Sequence, residues 1–130
     1  MSGMEKYIVK PTRIGQLVHH DIGKMEEQAG SLFCFMDGSK VPETDVTVLV
    51  RKVKHELDET SQVGPEPHVH EVSQFYCLLD ELKLEVTLGE EKFMVQGPAT
   101  IMVPNGTRHA IRFVGGTGNL VNILCQGKYE

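Results

Sequence analysis

Two histidines and a glutamine, separated by even numbers of positions, are the residues of this chain best suited to chemistry. His68 and His70 are separated by one residue, and Gln74 follows four positions after His70. On a β-strand, residues at even spacing point to the same face, so these three side chains would enter one interior. Buried imidazoles need hydrogen bonds or a metal ion, because unpaired polar groups are costly there. A divalent metal bound by imidazole nitrogen and amide oxygen would satisfy all three.

A third histidine follows a turn later in the chain. Residues 104–109 read Pro-Asn-Gly-Thr-Arg-His, and Pro, Asn and Gly together favour a tight turn. Such a turn can bring His109 back toward the first pair. An HxH pair alone more often consists of surface histidines at the end of a strand than of metal ligands. Together with the segment at residues 104–109, however, the pair favours a metal site.

Short strands separated by turns must position these side chains. Apolar and polar residues alternate over residues 82–88, as in a strand with one solvated face, and Gly89-Glu90 then predicts a hairpin with residues 91–95. A single short helix is predicted near residues 22–29, ended by Gly30. Further strands are predicted at 32–36, 46–54, 73–79, 100–103, 109–114 and 120–125.

About eight strands without crossover helices predict an all-β fold, an antiparallel jelly-roll barrel. The chain has 130 residues, which is the size of one domain. We expect residues 1–40 to form an N-terminal arm that packs on the barrel or on a partner subunit, and residues 41–130 to form the barrel.

Composition and charge exclude several classes of partner. The net charge is −5 and no segment concentrates Lys or Arg, so we expect no nucleic acid partner. The longest apolar run, residues 32–36, is far too short for a membrane span, and no leader-like segment opens the sequence. We therefore expect a cytoplasmic protein. Its cysteines, Cys34, Cys77 and Cys125, are too widely spaced for a zinc or redox motif; each is predicted to be a small buried residue.

The two histidine segments together resemble the motifs of the cupin superfamily. Cupins carry HxH followed by three or four residues and an acidic ligand, and later a Gly followed by PxGxxH. Here the first motif reads His68-Val69-His70 with Gln74 at the acidic position, and the second reads Gly97 followed by residues 104–109. The resemblance covers residues 46–125. It implies a small β-barrel with one metal ion near its centre.

The same resemblance implies His68, His70, Gln74 and His109 as ligands of one divalent metal ion per chain, which would be Zn, Mn, Fe or Ni. Gln74 replaces the usual Glu. It either ligates the metal, as a similar H-x-H-x3-Q arrangement does in some cupin lyases, or only hydrogen-bonds a ligand, which leaves a three-histidine site. Asp80-Glu81 also departs from the family pattern, which has a Gly there.

An uncharged ligand set leaves the full charge of the metal uncompensated, which strengthens it as a Lewis acid and attracts anionic oxygen atoms. We therefore expect a small-molecule enzyme, an isomerase or lyase that stabilises an enolate-like or other anionic intermediate, with a carboxylate or keto acid as ligand. An iron-dependent dioxygenase on a three-histidine site is one alternative. The other is a cupin that binds or senses a small ligand without catalysis.

Two further side chains are candidates for catalysis. Tyr76 has the parity of Gln74 and would face the cavity, although a tyrosine of the core is the simpler interpretation. Arg51 can clamp a carboxylate with two hydrogen bonds, although a solvated arginine at a sheet edge is more common. Glu66 and Glu71 flank the histidines and can serve as a base if their loop folds inward. The resemblance to cupins also implies a homodimer.

Overall fold

The computed structural model of the chain describes residues 3–14, 31–57 and 71–126. No helix within these ranges is long and apolar enough to cross a membrane. The described residues form one short 3-10 helix, Gly3–Tyr7, and eight strands. The strands are β1 (Thr12–Arg13), β2 (Ser31–Met36), β3 (Thr47–Leu57), β4 (Gln74–Leu78), β5 (Lys83–Leu88), β6 (Glu91–Gln96), β7 (Ala99–Val103) and β8 (His109–Leu124).

Every strand pairing is antiparallel, and β8 connects the two parts of the sheet. The main path runs β1-β2-β3-β8-β4-β7, and β5 pairs with both β6 and β8. The first part of β8, residues 109–115, pairs with β5, whereas residues 116–124 pair with β3 or β4. The prediction of an all-β antiparallel fold is thereby confirmed.

Most strands lie where the sequence predicts them. The predicted hairpin is present, with Leu88 paired to Glu91 and Gly89 at φ 64° in the turn. β2 falls within the predicted N-terminal arm and pairs with β3, so residues 31–36 are part of the main sheet. The predicted helix at 22–29 lies outside the described residues.

The end of the chain differs from the sequence prediction. The sequence predicts two separate strands, 109–114 and 120–125, but β8 is one continuous strand. Gly116 and Gly118 have φ values of 73° and 135°. A Cβ atom at Gly116 would lie 2.2 Å from the Glu81 carbonyl oxygen. These glycines therefore let β8 continue past a neighbouring backbone segment, and they do not reverse the chain.

The inner face of the sheet packs two apolar clusters. Along β4 the burial alternates: Gln74, Tyr76 and Leu78 are buried, and Phe75 and Cys77 are half-buried. The larger cluster contains Val53, Tyr76, Leu78, Leu82, Leu84, Val86, Val103, Ile111, Phe113 and Leu120, and the smaller contains Leu32, Cys34, Leu49 and Leu124.

The cysteines do not share one environment. Cys34 is buried, Cys77 is half-buried, and Cys125 is exposed. The expectation that all three are buried is therefore wrong for Cys125, which directly follows the last residue of β8.

Candidate metal centre

Gln74 and His109 meet in the interior of the barrel. Each is the first residue of its strand, Gln74 of β4 and His109 of β8. They are 0% and 1% exposed. Gln74 Nε2 lies 2.7 Å from His109 Nε2. The fold thus brings together two predicted ligands that are 35 residues apart in the sequence.

The turn before β8 sets the orientation of the His109 ring. Thr107 N donates a hydrogen bond to the Pro104 carbonyl over 3.1 Å, and Gly106 has φ 78°, as the third position of a type II turn requires. His109 Nδ1 then donates to the Thr107 carbonyl over 2.9 Å. This fixes the tautomer, because a neutral imidazole with its proton on Nδ1 has a lone pair on Nε2. Gln74 Nε2 donates to that lone pair.

The other end of the Gln74 amide has no partner. Gln74 Oε1 is buried and accepts no hydrogen bond. A buried acceptor without a donor is costly in a protein interior. Turning the amide by 180° would exchange its ends and place Oε1 beside the Nε2 lone pair of His109, and two lone pairs at this separation need a shared cation. An amide oxygen and an imidazole nitrogen are both ligands of divalent metals, so these two residues fit a metal ion.

His68 and His70 lie outside the described residues, as does Glu66. Within the ranges that the structure describes, no three His, Cys, Asp or Glu side chains converge. Glu71 is described and exposed. A role as a base would therefore require Glu71 to turn inward from the surface.

Tyr76 lies on the same inner face as Gln74, as its parity predicts. It is 6% exposed, and its ring centroid is 6.4 Å from that of His109 with the planes tilted by 53°. The aromatic ring therefore forms one wall beside the imidazole. Its place in the larger apolar cluster also agrees with the simpler interpretation of a core tyrosine.

Arg51 is also inside the barrel, but farther away. It is 4% exposed, so it is not a solvated arginine at a sheet edge. In the register, Arg51 is opposite Leu120, which is opposite Leu78, whereas Gln74 is opposite Leu124. Two strand spacings and four residues separate Arg51 from Gln74, roughly 16 Å between Cα atoms. Arg51 is thus not adjacent to the pair of predicted ligands.

Asn122 is a half-buried polar residue on the inner face that the sequence patterns did not single out. It is opposite Leu49 on one side and Tyr76 on the other, so its side chain shares their inner face. Its Oδ1 atom is buried and has no hydrogen-bond partner. The available signal was its parity, since Leu120 and Leu124 on the same face of β8 are buried leucines.

No protein-family model and no curated protein matches the sequence. Solved structures do match. A cupin superfamily protein from Desulfitobacterium hafniense has a TM-score of 0.56 at 15% identity, over 73% of this chain and 75% of that chain. The chain has the cupin fold. The jelly-roll prediction and the resemblance read from the two motifs are confirmed at the level of the fold.

Two further cupin-fold neighbours show the range of sizes. KdgF from Halomonas sp. has a TM-score of 0.58 at 16% identity, over 77% of this chain and 80% of that chain. Oxalate decarboxylase from Bacillus subtilis has a TM-score of 0.61 at 12% identity, and the match covers 94% of this chain but 30% of that chain. At these identities the likeness establishes the fold. Metal binding, a cytoplasmic location and a homodimer stay predictions.

Proposed function

We propose that this cupin binds one divalent metal ion through His68, His70, Gln74 and His109, and that it is an isomerase or lyase of small molecules that carry oxygen ligands. The observation that carries the proposal is the buried Gln74 Oε1 atom without a partner, at the other end of the amide whose Nε2 lies 2.7 Å from His109 Nε2. The fold adds weight, because one of the structural neighbours is a decarboxylase of a small carboxylate by name.

The unpartnered Oε1 atom of Gln74 favours Gln74 as a ligand over a three-histidine site. In the structure the amide donates to His109 Nε2, which is the same lone pair that would bind a metal. An imidazole nitrogen cannot accept this hydrogen bond and ligate at once. When His109 ligates, the amide must turn away or present Oε1, and Oε1 has no competing partner.

A divalent metal with uncharged ligands supplies Lewis acidity, which polarises a bound oxygen and stabilises negative charge that develops on it. The chain's own residues would prepare that site. Thr107 holds the His109 tautomer through its carbonyl oxygen. The buried positions of Gln74 and Tyr76 exclude bulk water, and low local polarity strengthens electrostatic interactions there.

Metal content tests the proposal directly. Purified protein should contain about one metal ion per chain by elemental analysis, and His109→Ala and His68→Ala should each retain less than about a tenth of it. His20→Ala, outside both motifs, is the matched control and should keep the full content. Equal metal content in the wild type and both ligand variants would refute the site.

The identity of the metal separates this proposal from its alternatives. Iron together with O₂ uptake that depends on substrate would replace the isomerase or lyase by a dioxygenase. Tight binding of a small carboxylate without any product, measured by calorimetry and mass spectrometry, would replace it by a binding or sensor protein. Product formation that stops when a chelator removes the metal would support the proposal.

A further inference from the structure

Asn122 lies between two buried leucines on the inner face of β8. The residues two positions before and after it, Leu120 and Leu124, are buried leucines. Its cross-strand partners on this face are Leu49 and Tyr76. Leu49 and Leu124 belong to the smaller apolar cluster, and Tyr76 and Leu120 belong to the larger. Asn122 therefore lies where the two clusters adjoin.

The amide of Asn122 is not explained by the stability of the fold. Its Oδ1 atom is buried and accepts no hydrogen bond. An unsatisfied acceptor in the interior destabilises the folded state, whereas an apolar side chain of similar volume would not. A residue that weakens the fold in this way is typical of functional sites.

Asn122 is also close to the candidate metal centre. Gln74 is opposite Leu124 and Tyr76 is opposite Asn122, so Gln74 and Asn122 are diagonal neighbours, roughly 7 Å apart on the same face. Both carry a buried amide oxygen without a partner. A small molecule that binds at Gln74 and His109 and extends past the ring of Tyr76 would contact Asn122.

We propose that Asn122 is a substrate-binding residue whose Oδ1 accepts a hydrogen bond from a hydroxyl group of the ligand, and that the ligand is a hydroxylated carboxylic acid. The inference rests on the proposed function, which places the oxygen-rich end of the ligand at the metal. A carboxylate or keto oxygen cannot satisfy Asn122 Oδ1, because neither has a proton to donate. A hydroxyl group can, and it avoids burying a second charge.

Stability without ligand gives the first test, and it does not depend on the metal. Asn122→Leu should raise the Tm of metal-free, ligand-free protein by about 3–5 °C, because it removes the unsatisfied acceptor. Asn119→Leu is the matched control: Asn119 is opposite Lys52 on the outer face of the same strand, and its replacement should not raise the Tm. A lower Tm for Asn122→Leu than for the control would show that Asn122 is structural and overturn the inference.

Ligand binding gives the second test. Zinc-loaded protein is titrated with gluconate, which has hydroxyl groups, and with hexanoate, which has the same chain length without them. Asn122→Leu should weaken gluconate binding about three- to tenfold and leave hexanoate binding unchanged, and Asn119→Leu should change neither. Unchanged gluconate affinity in Asn122→Leu, or no gluconate binding by the wild type, would overturn the inference.

The zinc content of each sample keeps the two proposals apart. If the wild type takes up no zinc, the proposed metal site fails, and the Tm comparison alone decides the role of Asn122. If zinc binds normally and Asn122→Leu binds gluconate as the wild type does, only the assignment of Asn122 fails.

Discussion

Two polar pairs on the same strand show how differently the inner and outer faces of this barrel treat hydrogen-bonding groups. On the inner face, His109 is bonded to Gln74 with both side chains almost fully buried. Three residues later, on the outer face, Arg112 Nη1 lies 3.3 Å from Glu85 Oε1, and the two side chains are 31% and 25% exposed. The inner pair connects β8 to the start of β4, and the outer pair connects β8 to β5.

The two pairs differ in whether water can reach the polar atoms that have no hydrogen-bond partner within the pair. Water can reach the half-exposed outer pair and satisfy its remaining groups, so that pair contributes about 0–1 kcal/mol and implies no ligand. The inner pair leaves Gln74 Oε1 buried without a donor, and such a group destabilises the fold by about 1–3 kcal/mol. An unsatisfied group of that kind is what makes the inner pair a candidate site.

The largest effect of burial on the inner face should appear in thiol chemistry. Burial, together with the charge of Asp37, raises the pKa of the inner-face Cys34 to about 11. At pH 8 only about one Cys34 thiol in a thousand is ionised, and the thiolate is the reactive form. Iodoacetamide should therefore label the exposed Cys125 at least about 100-fold faster, as followed by peptide mass spectrometry. Similar rates would mean that the inner face is open to solvent.

A charge placed on the inner face should lower the stability of the metal-free protein and raise its affinity for zinc. Gln74→Glu puts a carboxylate at a fully buried position, which should lower metal-free stability by about 1–3 kcal/mol and raise zinc affinity at least about tenfold, since it cancels one unit of the metal's charge. Urea unfolding with chelator and a competitive zinc titration measure the two effects. The same change at the exposed Gln96 is the control. If both variants behave alike, Gln74 is not a ligand.

Removing a hydroxyl from the inner wall should have an intermediate effect. Tyr76→Phe keeps the ring in the apolar cluster, so zinc content should be unchanged and stability should fall by no more than about 1.5 kcal/mol. Gluconate binding to the zinc-loaded protein should weaken about threefold if the hydroxyl contacts the ligand. Tyr7→Phe, at an exposed position of the N-terminal 3-10 helix, should change neither the zinc content nor gluconate binding. An affinity equal to that of the wild type would leave Tyr76 as a core residue only.

The outer pair should show the smallest effect. A double-mutant cycle with Glu85→Gln and Arg112→Gln should give a coupling energy of about 0.2–1 kcal/mol. The coupling should largely disappear in 1 M salt, where charges are screened within about 3 Å. Urea unfolding of the four proteins measures it. A coupling above about 2 kcal/mol that salt does not change would show that the outer pair is as protected from water as the inner one.

Much of the fold was predictable because its signals are local. The alternation over residues 82–88 and the Gly89-Glu90 turn define β5, its hairpin and β6, and the observed register pairs Leu88 with Glu91. The continuity of β8 was not predictable, since Gly115-Gly116 reads as a turn. Only the approach of the Glu81 backbone to Gly116 shows why glycine is needed there. Asp80 shows the same limit: it adopts φ 65° at a position where the cupin pattern has glycine.

The candidate site was predictable in part. Parity along one strand predicted that Gln74 and Tyr76 share a face, and the turn at residues 104–108 was expected to bring His109 back toward the first histidine pair. In the structure Gln74, Tyr76 and His109 are all buried. Arg51 was expected to be solvated unless it served as a clamp. It is buried, yet the register separates it from Gln74. Asn122 carries no motif, so its significance depended on burial and on the partners opposite it.

By itself the sequence determined the strand pattern, the turns, and the identity and spacing of the side chains that can ligate a metal, because these depend on chain chemistry and on the two-residue period of a strand. The tertiary structure decided which polar atoms lack a partner. Whether Gln74 Oε1 or Asn122 Oδ1 finds a donor depends on residues brought together from distant strands. No local pattern contains that information, since burial is a property of the assembled sheet.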